Sequence, residues 1–168
     1  MSIDSLLQAD PFNNSQINKI IEFENNNELD HRVSNSFIQI QNNYSKHEYS
    51  EFNKNKNEIE VYLLLEDNNT IKDMCHIKGE KDRKACNISI VPLKDNPRNR
   101  KILSLATSFS LNEMKMEEVF IKVKPDNRNV INYLTNQEYE NLGEEQGYIL
   151  FLKEKEERIN IQRKVAWN

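Results

Sequence analysis

Apolar residues are unevenly spread along this chain. Over 15–24, Ile17, Ile20, Ile21 and Phe23 recur at near-helical spacing. Asn14 or Ser15 can cap that helix, because a short polar side chain accepts from the open amides of a first turn. Asn25, Asn26 and Asn27 end it. A second helical or mixed segment starts at Glu28 and carries Leu29, Val33, Phe37, Ile38 and Ile40. The stretch 41–57 is polar apart from Tyr44, Tyr49 and Phe52. Its end, 53–57, alternates Asn and Lys and reads as a solvated loop.

From residue 59 the pattern changes. The run 59–65 is densely apolar and is followed by Glu66, Asp67, Asn68 and Asn69, which predicts a strand and a hairpin turn. The second arm, 70–78, alternates imperfectly through Ile71, Met74, His76 and Ile77. A charged turn over 79–84 leads to a third strand over 85–91, closed by Pro92. A polar loop over 95–100 precedes a helix over 100–116. Its broad apolar face is Ile102, Leu103, Leu105, Ala106, Phe109, Leu111 and Met114. A strand over 119–123 follows, then a turn at Pro125, Asp126 and Asn127, a helix over 129–141 and a strand over 148–152. In the tail, Ile159, Ile161, Val165 and Trp167 predict an ordered end, either as one more strand paired with 148–152 or packed against a second subunit.

Short turns set neighbouring strands antiparallel, and a helical crossover sets them parallel. The order therefore predicts an α/β (α+β) protein with a mixed, mostly antiparallel sheet and helices on both faces. Within it, 85–91 should run parallel to 119–123, the two splayed apart near Pro92.

The 168 residues suit one domain over 1–168. It divides into a variable N-terminal helical part over 1–58, a core over 59–152 and a C-terminal tail over 153–168. With a net charge of −4 and a sequence pI near 5.5, no basic face is implied and no nucleic-acid partner is expected. Cys75 and Cys86 are the two cysteines. The first ten residues lack the positive flank and apolar stretch of a secretory signal, and no run approaches a membrane span. A cytoplasmic protein with reduced thiols and no membrane partner is expected.

Two landmarks point to a family. Ile90, Val91 and Pro92 end the third strand. Ile121, Lys122, Val123, Lys124, Pro125, Asp126 and Asn127 run from a later strand into an Asn turn. With the element pattern over 59–152, their order and spacing resemble the GNAT family of N-acetyltransferases. The resemblance implies a GNAT-like fold and acetyl-CoA as cosubstrate. It also implies a small-molecule or protein amine as acceptor, attacking the thioester directly. By the same resemblance, the backbone at Ile90 and Val91 would hold the pantetheine or polarise the carbonyl. Arg98, Asn99, Arg100, Lys101, Ile102 and Asn127 would complete the cofactor-binding set. A homodimer stays an open alternative.

The family's phosphate loop, Gln/Arg-x-x-Gly-x-Gly/Ala, presents helix-terminal amides to the pyrophosphate, and its glycines allow close approach. Here it falls on Asp95, Asn96, Pro97, Arg98, Asn99 and Arg100, with arginine at both glycine positions, or else starts at Arg98, with Lys101 and Leu103 in the glycine places; neither register restores the motif. Either Arg98, Arg100 and Lys101 hold an anion by side-chain charge, or the segment is an ordinary charged turn. The tyrosine that protonates the departing thiolate in this family falls on Leu134. Tyr133 is one residue away, about 100° around a helix, and reads as a packing residue. Glu138 and Tyr139 stand where the family has Gly-Phe, with Tyr139 filling the core. His76, Glu60 and Glu66 are the candidate bases, and no catalytic residue is assigned. Cys75 and Cys86 fall on neighbouring strands, but with one nearby His they fall short of the four ligands of a zinc site. Two functions remain open: an acetyl-CoA-dependent N-acetyltransferase, or a catalytically inactive GNAT-fold binding or regulatory module.

Overall fold

The computed structural model describes residues 5–90 and 97–156. In chain order the elements are β1 (Ser5–Gln8), α1 (Asn14–Asn26), α2 (Arg32–Asn43), α3 (Lys46–Asn55), β2 (Glu58–Asp67) and β3 (Thr70–Glu80). They continue as β4 (Ala85–Ile90), α4 (Pro97–Asn112), β5 (Glu118–Val123), α5 (Arg128–Asn136), β6 (Glu140–Glu145) and β7 (Tyr148–Glu154). The described strands form one sheet in the order β1-β2-β3-β4-β5-β7-β6. As the connections predict, β2, β3 and β4 form an antiparallel meander. Helix α4 is the crossover that sets β4 and β5 parallel. Asn68 and Asn69 close the β2–β3 hairpin at φ 52° and 62°, the twist that a two-residue turn needs.

Each face of the sheet carries its own core. Val61, Leu63 and Leu65 of β2 join residues of β3, β4 and β5 against Ile102, Leu103 and Ala106 of α4 and Val130 and Leu134 of α5. Leu64 and Met74 point the other way, against Ile17, Ile20 and Phe23 of α1 and Phe37 of α2. Strand β2 is thus covered on both sides, which is why it reads as a continuous apolar run and not as an alternation. Strand β4 differs. Cys86, Ile88 and Ile90 are buried, while Asn87 and Ser89 are exposed.

Several boundaries depart from the sequence expectation. The cap of α1 is Asn13, whose side chain accepts from the Gln16 amide at 3.1 Å. Helix α3 occupies most of the stretch read as polar loop. A capping box starts it, with Ser45 accepting from the Glu48 amide and Glu48 from the Ser45 amide. Helix α4 begins at Pro97, since proline suits a first helical position. Arg98 and Asn99 therefore lie in a helical turn and not in a loop.

Helix α5 stops at Asn136, and Glu138 then takes φ 64°. The strand that follows, β6, is exposed along its whole length. Gln146 and Gly147, at φ 52° and 82°, turn it into β7. β7 is consequently flanked by β5 and β6. Over 148–152 both edges of β7 are paired. The tail residues 157–168, with Ile159, Ile161, Val165 and Trp167, lie outside the described residues.

Candidate functional site

The parallel pairing of β4 with β5 runs only from Ala85↔Glu118 to Ile88↔Ile121. Beyond it, Ser89 and Ile90 stay paired with His76 and Cys75 of β3. β5 meanwhile continues beside β7 as far as Val123↔Ile149. The two strands part, as expected, and a cavity of about 460 Å³ opens between them. Ser89 and Ile90, Ile121 and Lys122, Leu103 of α4 and Tyr148 of β7 border it. Ile90, Ile121 and Leu103 belong to the α4 core, whereas Ser89 and Lys122 alternate to the opposite face. The opening thus draws on both faces of the sheet.

A second cavity, of about 500 Å³, lies on the α1–α2 side. Glu24, Glu28, Asp30, Tyr62, His76 and Ser89 are among the residues around it. Ser89 borders both cavities. This follows from pleat alternation: Tyr62, His76 and Ser89 are register partners across β2, β3 and β4, and so share one face.

His76 is the best-defined group at this junction. Its ring stacks on Tyr62 with centroids 4.4 Å apart and planes 12° from parallel. Its Nε2 lies 2.7 Å from Glu60 Oε1, though off the direction of an aligned hydrogen bond. Burial holds the His76 pKa below the usual histidine value. Glu60 opposes that shift, and Lys78 adds to it. The imidazole is therefore neutral, with a lone pair to receive a proton, at neutral pH. Burial first, and Glu60 second, push the Tyr62 phenol up to about 12. Of the other base candidates, Glu60 joins His76. Glu66 lies six residues along β2, about 20 Å away, and is paired with Lys19 at 3.0 Å.

The expected cofactor set is divided. Ile90 borders the cavity between the strands. Val91, like Asp95, lies outside the described residues. Arg98 and Lys101 are exposed on the first turns of α4, and Arg100 is partly buried. Asn99 is only 3% exposed. Its side-chain amide donates to Asp73 of β3, a carboxylate that also accepts from the Met74 amide. Burial raises the Asp73 pKa, against Asn99, Met74 and Arg98. The Ile102 side chain is in the core. Asn127 precedes α5, with no capping bond from its side chain.

Leu134 is fully buried, and Tyr133 is partly buried with its hydroxyl donating to the Arg100 carbonyl at 3.2 Å. Tyr139 fills the core as expected. Its hydroxyl bonds Thr107, and burial pushes its pKa up to about 12. Cys75 and Cys86 sit on adjacent strands and are free, but four register positions, about 13 Å, separate them. Among the described residues no three His, Cys, Asp or Glu side chains form a metal-binding group. No described helix is long and apolar enough to cross a membrane.

Sequence reading missed Glu24, Asp73, Ser89, Lys122 and Tyr148 as site residues. Only the polar positions Asp73 and Ser89, interrupting apolar strands, gave a signal. The rest depend on where β4 and β5 separate and where α1 ends.

Neither a protein-family model nor a curated protein matches the sequence. Solved structures do. The Campylobacter jejuni N-acetyltransferase PseH, in complex with acetyl coenzyme A, superposes with a TM-score of 0.59 at 11% identity, covering 91% of this chain and 99% of that one. The dodecameric spermidine N-acetyltransferase of Vibrio cholerae gives a TM-score of 0.63 at 12% identity, over 94% of this chain and 96% of that one. An acetyltransferase of the GNAT family from Streptococcus pneumoniae gives 0.57 at 12% identity, over 91% and 100%. With its mixed sheet, its parted parallel pair and its crossover helix, this chain has the fold of the GNAT acetyltransferases.

Proposed function

We propose that the protein transfers the acetyl group of acetyl-CoA to an amine. The observation that carries this reading is the junction at Ser89. A cavity between parted parallel strands meets there a second cavity that holds a neutral histidine. The thioester supplies an activated acetyl group.

The residues present fit such a group in part. Ser89 and Ile90 form a strand edge without a β5 partner, suited to hydrogen bonding an extended pantetheine-like chain. Arg98, Arg100 and Lys101 on the first turns of α4 supply positive charge where glycines are absent. The buried Asp73 nearby works against an anion, which makes the arginine and lysine charges necessary.

In this reading His76 takes a proton from the acceptor's ammonium group, and Glu60 stabilises the resulting imidazolium. The freed amine nitrogen attacks the thioester carbonyl. A C–N bond forms, the C–S bond breaks, and the thiolate leaves with the electron pair. The nitrogen loses its remaining extra proton to solvent, and the thiolate gains one. We assign that last donation to Tyr148, a residue at the border of the cavity, because Leu134 cannot donate and the Tyr133 hydroxyl is engaged with Arg100.

The second reading is an inactive binding module. The buried Leu134 at the acid position favours it. Thiol release from acetyl-CoA across a panel of amines separates the two. The enzyme predicts amine-dependent release that falls about a hundredfold in His76→Gln. Binding of acetyl-CoA with no release for any amine would establish the module.

A further inference from the structure

Strand β3 does not alternate regularly. Leu65 of β2 faces Asp73, but its neighbour Glu66 faces Ile71, so Lys72 is an extra residue. In a regular strand, residues two apart share a face. Here the bulge sends Ile71 into the α1–α2 core and turns Asp73 to the other face, the one from which Cys75 and Ile77 pack toward α4. Cys75 pairs with Ile90 at the end of β4. Asp73 lies two residues further along β3, about 7 Å on, in the direction in which β4 and β5 part. There its carboxylate accepts from the Asn99 side-chain amide and from the Met74 amide. Asp73 and Asn99 are each only 3% exposed. A carboxylate kept from water is costly unless donors meet it, and a charge-assisted bond is stronger than a neutral one. This bond runs from the sheet to the third residue of α4, beside Arg98, Arg100 and Lys101.

We propose that Asp73 is a positioning residue for the CoA phosphates. Through Asn99 it anchors the first turn of α4 to the sheet, and so holds Arg98, Arg100 and Lys101 in place before a ligand arrives. A turn already ordered in the free protein need not be ordered on binding. That matters where long, flexible side chains stand in for backbone amides as the anion's partners. The negative charge of Asp73 opposes phosphate, so the gain is one of order and not of attraction. The phosphate role rests on the acetyl-transfer reading, whereas the anchor can be tested without it.

Amide exchange of the free full chain tests the anchor, read at Lys101, Ile102 and Leu103, the first amides that α4 bonds internally. In the wild type they should be protected without ligand. Asp73→Ala should quicken them about tenfold, the scale of one hydrogen bond to a charged group. Asp73→Asn, whose amide can still pair with Asn99, should leave them slow. Protection that appears only on adding acetyl-CoA would overturn the anchor, and that comparison needs no variant. Exchange as slow in Asp73→Ala as in the wild type would overturn it too. Calorimetric titration with acetyl-CoA at low and high salt tests the phosphate role. Asp73→Ala and Asn99→Ala should each bind about tenfold more weakly and lose part of the salt dependence of the wild type. The double variant should be no weaker than either single one, and Asp73→Asn should bind at least as tightly as the wild type. A merely structural bond would lower the melting temperature and leave affinity and its salt dependence unchanged; that result would overturn the phosphate role. A wild type that never binds acetyl-CoA, with the exchange contrast intact, would overturn acetyl transfer and keep the anchor.

Discussion

At the scale of single residues, His76 is set by its neighbours more than by its own chemistry. Its folded pKa lies below the ordinary value, so between the two values the unfolded chain binds more protons. The associated stability is fully present above the ordinary histidine pKa of about 6.5 and is lost as pH falls through and below it. His76→Gln should therefore lose less melting temperature than the wild type on acidification across that window. Glu60, Tyr62 and Lys78 around the ring, and Glu24, Glu28, Asp30 and Arg32 around the cavity, are common to both proteins. Equal losses in melting scans would contradict the assignment. Two tyrosines give a second contrast. Tyr133→Phe removes only a bond to the Arg100 carbonyl and should leave turnover nearly intact, whereas Tyr148→Phe should lower it about a hundredfold. The packing role of Tyr133 was legible from its register beside Leu134. The place of Tyr148 was not, since strand separation, not local sequence, brings it to the cavity.

At the scale of elements, local chemistry was readable where it repeats a known pattern. Ser45 and Glu48, three apart, announce the start of α3, but Tyr44, Tyr49 and Phe52 lack a helical stripe and mask it. The helix buries none of its residues. Ser45→Ala should cost α3 about 1 kcal/mol. Amide exchange over 46–55 should then quicken, with little change in global melting. Exchange unchanged in that segment would argue against the capping box. β6 was illegible for the opposite reason: all six residues are exposed, so no alternation marks it. The early start of α4 bears on function, because it adds Arg98 to the helical turns that carry Arg100 and Lys101. Replacing Arg98 and Arg100 together with Ala should weaken acetyl-CoA binding, and added salt should weaken it in the wild type. Binding indifferent to both would reject a side-chain phosphate site.

At the scale of the whole molecule, the order of connections carried most of the fold. Short turns around 66–69 and 79–84 and one helical crossover were enough to give the meander and the single parallel pair. The double-sided burial of β2 confirms that helices cover both faces. What sequence could not supply is the third dimension of the site: the parting after Ile88 and the meeting of two cavities at Ser89. On the acetyl-transfer reading, a CoA thioester occupies the space where β4 leaves β5. Calorimetric titration of the full chain with acetyl-CoA tests it most directly, with Ser89→Trp as the variant that fills the junction. The prediction is saturable binding in the micromolar range by the wild type, abolished in Ser89→Trp. Silence at millimolar acetyl-CoA, or binding that Ser89→Trp leaves unchanged, would contradict it.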